Sequence, residues 1–487
     1  MNEGRQPGIV ACGHEAVGDA AAAVLRAGGN AFDACLAAGF AGAVAEPCFT
    51  SLGGGGFLLA HTSAGEQVLF DFFVDTPGRS LPASDRQPHF LPVNVSFLAA
   101  DQLFHAGLGS VAVPGCLAGY LHVHARLGRL PLRDIVAPAV GLARAGVRVD
   151  DTQSEVLGLL APILLREPES ASIFAPKGVL LRSGDTLTNP DYAAYLEWLA
   201  VDEHAASFYE GDLAGALVAQ MQTGDGLVTA DDLAAYAVIE RRPAATQYRG
   251  HRILTNPPPS FGGELIALAL SLDEARGAPP PWQSAAHLES AVEVMIDVDR
   301  RRTTRGATKG TTQMTVADAE GNVASMTTSN GETSGDVVPG TGVLLNNMLG
   351  EDDLHPDGFH AGPSGERVAS MMAPTLVLDP AGEVVLALGS GGSKRIRTAI
   401  AQVITAVLAH DRDLAEAVEA PRVHWDGDAV HVEPGFPATA VDALERRWRI
   451  NPWPARNLYF GGVHAVQPGR TGSGDPRRGG TARFVNE

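Results

Sequence analysis

The sequence predicts a mixed α/β protein with a substantial core, and three observations carry that expectation. The first is the stretch Gly310 to Gly331, which reads as two alternating, β-branched runs around a short turn, a β-hairpin. The second is Ala31 to Val44, a nearly all-apolar helix rich in Ala and Gly and therefore closely packed. The third is the alternation along the chain: short strands such as Val68 to Phe72, Arg252 to Leu254, Ala373 to Leu378 and Val384 to Leu388 fall between helical segments. A hydrophobic content of 45% and a charged content of 19% fit an ordinary globular chain of 487 residues.

In chain order, Gly8 to Val10 starts a strand, and Asp19 to Ala27 forms a small-residue helix that Gly28-Gly29-Asn30 ends. Glu46-Pro47 stops the apolar helix that follows. The glycine run Gly53 to Gly56 suggests a phosphate cradle, but no Gly-Lys-Ser/Thr follows it, so a turn that lets backbones approach closely is the stronger reading. Pro77 to Phe97 reads as an irregular surface loop. Val113-Pro114-Gly115 precedes a helix through Leu127, Leu130-Pro131-Leu132 opens the next, and Thr229 caps a short helix with acidic residues in its first turn. Thr255 to Gly263 is a rigid turn before a helix from Glu264 to Asp273; Ala275 to Gln283 is Pro-rich, with Trp282 as a surface anchor. A helix from Ala286 to Arg302 leads into the polar, basic approach Thr303 to Gly310. Beyond the hairpin, Val338 to Asn347 is a turn and strand ending in paired Asn, followed by Glu351-Asp352-Asp353. Gly389-Ser390-Gly391-Gly392-Ser393 opens a helix from Arg395 to Leu408; its clustered backbone N–H groups suit an oxyanion, a bound anion or plain capping. His424 stands alone and reads as structural.

Formal charge is −20, from 36 Lys and Arg against 56 Asp and Glu, with no basic cluster. Nucleic acid and anionic membrane surfaces are therefore not expected as partners. The four cysteines (Cys12, Cys35, Cys48 and Cys116) show no CxxC pair, so free buried thiols are expected. No metal-ligand spacing, cofactor motif or internal repeat is visible, and the longest apolar run, Ala34 to Ala45, is too short to span a bilayer. With no basic-then-apolar leader at the start, the expected location is cytoplasmic.

The hairpin holds the residues of chemical interest. A three-residue loop, Ala319 to Gly321, pairs Asp318 with Asn322 and, counting back, Thr311 with Ser329; a one-residue slip would put Asn330 there instead. A Thr hydroxyl becomes a good nucleophile when its own free α-amine takes its proton, which requires the Gly310–Thr311 bond to break. On these residues alone an ordinary Thr-rich strand accounts for the run better. The rest of the chain changes that balance.

Ala27 to Ala34, Gly53 to Phe57, Val113-Pro114-Gly115, Asn256 to Gly263, Gly310-Thr311-Thr312 with Asp318 and Gly321-Asn322, Pro339 to Asn347, and Gly389 to Ser393 form an ordered set of landmarks. Nearly end to end, the chain resembles the γ-glutamyltransferase family of N-terminal nucleophile hydrolases. The resemblance implies a four-layer αββα sandwich in one domain, 1–487, cut by itself into a large subunit, 1–310, and a small one, 311–487. These would stay together as a heterodimer acting on a small-molecule substrate, with further oligomerisation open. Thr311 would be the nucleophile, Ser329 the helper hydroxyl, and Gly391 and Gly392 would lie on the oxyanion segment.

The departures fall on substrate recognition. The family holds the substrate's α-carboxylate with an Arg after the Asp-Phe strand and with two serines before a Met. Here Arg79 is the nearby candidate and is out of register, while the serine pair reads Ser370-Met371. On the α-amine side, a polar position is Met348, the usual Asp falls on Glu351, Asn330 is displaced by about one position, and the lid between the Asn pair and Ser370 is shortened. The sequence therefore implies an autoprocessed hydrolase or acyltransferase for an acyl or amide substrate other than glutathione. Two alternatives stand beside it: cleavage of a C–C bond next to a carbonyl, as in γ-glutamyltransferase-like enzymes of alkylproline antibiotic pathways, and an uncleaved binding protein on the same scaffold.

Overall fold

A computed structural model describes residues 7–486 except 88, 98–99, 202–205, 302–309, 352–358 and 360–361. The approach 303–309, Asp352, Asp353, most of the start and part of the shortened lid therefore lie outside the described residues.

Two antiparallel sheets stack face to face. Sheet I runs in the order Thr481–Val485, Gly8–Cys12, Thr311–Ala317, Val323–Ser329, Gly55–His61, Gln67–Phe72 and Ile239–Arg241. Sheet II runs Thr471–Ser473, Gly462–Gln467, Val384–Gly391, Thr375–Leu378, His251–Thr255 and Ala244–Tyr248. Helices Glu15–Arg26, Ala31–Ala45 and Cys116–Leu127 cover the outer face of sheet I, and Gly262–Ala275 and Arg395–His410 cover sheet II. This is the expected αββα order of layers. Sheet I interleaves strands from before residue 310 with strands from after residue 311, so its ladder ties the two halves of the chain together.

Asp318 makes the hairpin register specific. Its Oδ1 accepts the amides of Glu320 and Asn322, at 2.9 and 3.0 Å, closing the loop beside Gly321, whose φ is +93°. Its Oδ2 accepts the Ala31 amide at 2.9 Å, at the positive end of the apolar helix. Thr311 consequently pairs with Ser329, as the loop length requires. The helix Ala31–Ala45 is buried on every side and starts at a capping box between Asn30 and Asp33. The glycine run is a close backbone approach: a Cβ at Gly54 would lie 2.2 Å from Ser329 O, and one at Gly53 would lie 2.3 Å from Leu344 O.

Two expectations are corrected. Residues 77–97 are not all loop: Leu91–Phe97 pairs antiparallel with Ala100–Ala106 in a separate hairpin, and Pro92 hid the strand pattern. Trp282 is half-buried, packed at a tilt against His287 and His410 beside an apolar cavity among the helices outside sheet II. His424 is buried on Thr398 Oγ1 at 3.1 Å, and all four cysteines are free and buried, as expected. Among the described residues no helix is long and apolar enough to cross a membrane, and no cluster of metal-binding side chains occurs.

Candidate active site

Strand alternation turns Thr311, Gln313 and Thr315 toward sheet II. Thr315 Oγ1 donates to His464 O, and Ser325 Oγ on the neighbouring strand donates to Leu388 O, each at 2.9 Å. At the end of that row, Thr311 is fully buried and its Oγ1 has no hydrogen-bond partner among the described residues. A buried hydroxyl without a partner is costly in a purely structural role. Directly opposite, Ser329 Oγ donates to Gly310 O in a short hydrogen bond and accepts the Gly331 amide at 3.2 Å. Gly310 itself is buried: a Cβ there would lie 1.7 Å from Gly331 O.

Sheet II brings Gly391 to the same point. A Cβ on Gly391 would lie 2.0 Å from Thr311 O, so only glycine allows this contact. Gly392 follows at φ +119°, packed on Gly461. The carbonyls of Gly392 and Ser393 take the first amides of the helix Arg395–His410. The segment thus turns at the Thr311 strand as well as opening a helix.

Two charged residues not singled out in the sequence complete this end of the site. Arg478, fully buried, donates from Nη1 to Thr311 O at 2.9 Å and lies over the Phe49 ring at 4.8 Å. Burial pulls its guanidinium down to about 10. Glu46, just past the apolar helix, accepts the Thr312 hydroxyl at 3.0 Å on Oε1 and has no partner on Oε2. Burial pushes its carboxyl up to about 7, against the Thr312 hydrogen bond and the Arg478 charge. The native state therefore keeps a proton here between the ordinary carboxyl range and about 7, where the unfolded chain has lost it, and stability falls as pH rises through that window. Glu46→Gln should melt above the wild type at pH 8, by about 3 kcal/mol in stability, with the gap closing near pH 5. Calorimetry at the two pH values checks this; a gap independent of pH would contradict it.

The residues predicted to hold substrate are placed as follows. Arg79 is surface-held: its amide and Nε face Asp232, at 3.1 and 3.9 Å, and Nη2 donates to Gly365 O at 3.2 Å. The buried guanidinium near the Asp-Phe strand is instead Arg367, which the sequence reading missed. It faces Asp71 Oδ1 at 3.3 Å and Asp75 Oδ1 at 3.2 Å, and donates to the Tyr236 hydroxyl at 2.7 Å. Arg241 takes the other Asp71 oxygen at 2.8 Å. Ser370 Oγ is engaged by the Met372 amide at 3.1 Å, and Met371 and Met348 are buried in the inter-sheet core. Asn330 is buried, with Oδ1 lacking a partner, and Glu351 is buried with Oε1 at 2.9 Å from where a Gly331 Cβ would stand. Asn346 is spent on the backbone of Gly53, Ala112 and Met348. Thr311, Ser329, Gly310, Gly391 and Gly392 thus meet, Asn330 and Glu351 lie alongside, and Arg79 is engaged elsewhere.

The gamma-glutamyltranspeptidase family model matches residues 18–306 and 283–485. The chain belongs to the gamma-glutamyltranspeptidase family. Among curated members it is 34% identical to an acylase ACY 1 proenzyme of Pseudomonas sp. (strain SE83), over 90% of this chain and 86% of that protein. It is 30% identical to the glutathione hydrolase proenzyme of Escherichia coli (strain K12), over 87% and 82% respectively. A solved cephalosporin acylase from Bacillus halodurans superposes with a TM-score of 0.84 at 25% identity, covering 98% of this chain and 96% of that one. The protein is a gamma-glutamyltransferase-like N-terminal nucleophile hydrolase, of the hydrolase and acyltransferase kind.

Proposed function

We propose that this family member cuts itself between Gly310 and Thr311 and then transfers acyl groups through Thr311, from small amides whose recognised end is neutral. The observation that carries the reading is the buried, unpartnered Thr311 hydroxyl beside a scissile carbonyl already hydrogen-bonded by Ser329. In processing, Thr311 Oγ1 attacks the Gly310 carbonyl carbon, the C–N bond gives way to an ester, and water releases Gly310 and frees the Thr311 amine. Ser329 supports the oxyanion that forms on Gly310 O. The two fragments stay together because sheet I is laced from both. In turnover the freed amine is the base, and the amides around Gly391 and Gly392 serve the substrate oxyanion. The proenzyme names of the acylase and glutathione hydrolase relatives support cutting of the chain, and the acylase name supports an acyl substrate.

Ser329→Ala should slow both cutting and turnover roughly ten- to a hundredfold, the worth of one hydrogen bond at the oxyanion. Time courses on gels and initial rates measure the two effects, and an unchanged cutting rate would remove Ser329 from the mechanism. The reading as a whole is tested by incubating the protein with a panel of acyl anilides, quenching, and weighing the fragment that begins at Thr311. An acyl adduct on Thr311 with aniline released is expected. Products of a severed carbon–carbon bond with no aniline released would replace the amide reading with the C–C alternative, and an unmodified Thr311 during turnover would overturn both.

A further inference from the structure

The reaction needs an uncharged amine on Thr311, yet a terminal amine titrates near about 7.7–8.0 and is largely protonated at neutral pH. Two buried charges lie within one residue of it, on opposite faces of the strand. Arg478 donates to Thr311 O at 2.9 Å, and Glu46 accepts the Thr312 hydroxyl at 3.0 Å. The surrounding charges pair among themselves. Arg422 lies 2.6 Å from Asp475, and Arg477 lies 3.1 Å from Asp475 and 2.5 Å from Glu433. Arg395 donates to Tyr459 O at 2.7 Å and lies over the Tyr459 ring. His464 accepts the Asp475 amide through Nδ1, and burial holds it neutral at neutral pH. Glu351 stands beyond Gly331. Among the described residues, the cation that touches Thr311 is Arg478.

We propose that Arg478 is a positioning residue that keeps the freed Thr311 amine neutral, and that Glu46 opposes it from the other face of the strand. A cation within about 4–6 Å disfavours a second positive charge, and an ionised carboxylate favours one. The neutral amine takes the Thr311 hydroxyl proton as Oγ1 bonds to the substrate carbonyl, and returns it to the leaving nitrogen as the C–N bond breaks. Arg478 also anchors the Thr311 carbonyl, so the amine and the hydroxyl are fixed on one backbone unit. Because Glu46 gains charge near neutrality, the field at the amine turns less positive as pH rises, which spreads the titration of activity over a wider range than a lone amine would show.

The proposal rests on the reading of Thr311 as a processed N-terminal nucleophile, and one experiment separates the two. Intact mass first establishes whether wild type, Arg478→Gln, Arg478→Lys and Glu46→Gln are cut at Gly310–Thr311. The cut proteins are then labelled with trace acetic anhydride from pH 5 to 10, and acetylation of the 311 N-terminus is read by peptide mass. The wild-type amine should titrate below the ordinary range. Arg478→Gln should raise that midpoint by about one unit, a tenfold loss of neutral amine at pH 6, Arg478→Lys should keep most of the depression, and Glu46→Gln should lower it. If Arg478→Gln stays uncut, Glu46→Gln and Arg478→Lys decide. An uncut wild type overturns the function reading. A cut wild type whose amine titrates normally, or fails to move in the variants, overturns this proposal alone.

Discussion

Thr311→Ala is expected to remain a single uncut chain and to lose turnover by roughly 10⁴–10⁶-fold, as removal of a catalytic nucleophile does elsewhere. The size of the effect follows from the isolation of the hydroxyl. Thr311 Oγ1 is fully buried and has no hydrogen-bond partner, and the neighbouring hydroxyls are engaged: Ser329 on Gly310 O, Thr312 on Glu46, Thr327 on Gln313. None of these three neighbouring hydroxyls is free to replace it. Thr311→Ser should process and turn over, more slowly, since it keeps the hydroxyl and loses only the methyl packing. Gels and initial rates on the pair decide. A normally cut Thr311→Ala would mean that the scissile bond has been misplaced.

The second large effect concerns substrate. γ-Glutamyl compounds are expected to be poor, by a factor of a hundred or more in kcat/KM relative to neutral acyl amides. A free α-carboxylate needs a cationic fork or several aligned donors. Arg79 is committed to Asp232 and Gly365 at the surface, and Arg367 is matched by Asp71 and Asp75. Ser370 already serves the Met372 amide, and Met371 and Met348 are buried in the core and offer no charged group. Leaving a buried charge unmatched costs roughly 3–5 kcal/mol, which is two to four powers of ten in affinity. Kinetics on γ-glutamyl-p-nitroanilide beside acetyl, butyryl and phenylacetyl anilides check the point. Efficient turnover of the glutamyl compound with the neutral ones inert would show that Arg367 leaves its aspartates to rebuild the clamp.

The parts of the molecule that could be read from sequence are those whose causes are local. Gly321 and the alternation on either side of it point to a three-residue loop that places Thr311 opposite Ser329, the register that Asp318 then holds. Likewise Gly28-Gly29-Asn30 marks the break before the apolar helix, and the Gly53–Gly56 run announces backbone contact. What escaped the reading depends on distant segments. Glu46 and Thr312 are 266 positions apart, and Arg478 and Thr311 are 167 apart, with no spacing motif to join them. The two arginines of Asp475-Pro476-Arg477-Arg478 look alike in sequence, yet one closes an ion-pair cluster and the other touches Thr311. Arg367 was hidden for the same reason: its aspartates lie near 300 residues earlier in the chain, on another strand and the turn after it.

The central claim is that Thr311 becomes an N-terminus, and intact-mass measurement on freshly purified and aged protein tests it most directly. The account predicts conversion of the full chain into two co-purifying species, residues 1–310 and 311–487, with hydrolytic activity rising in step with the cut and the smaller fragment beginning Thr-Thr-Gln. A single full-length species that hydrolyses acyl amides would contradict it.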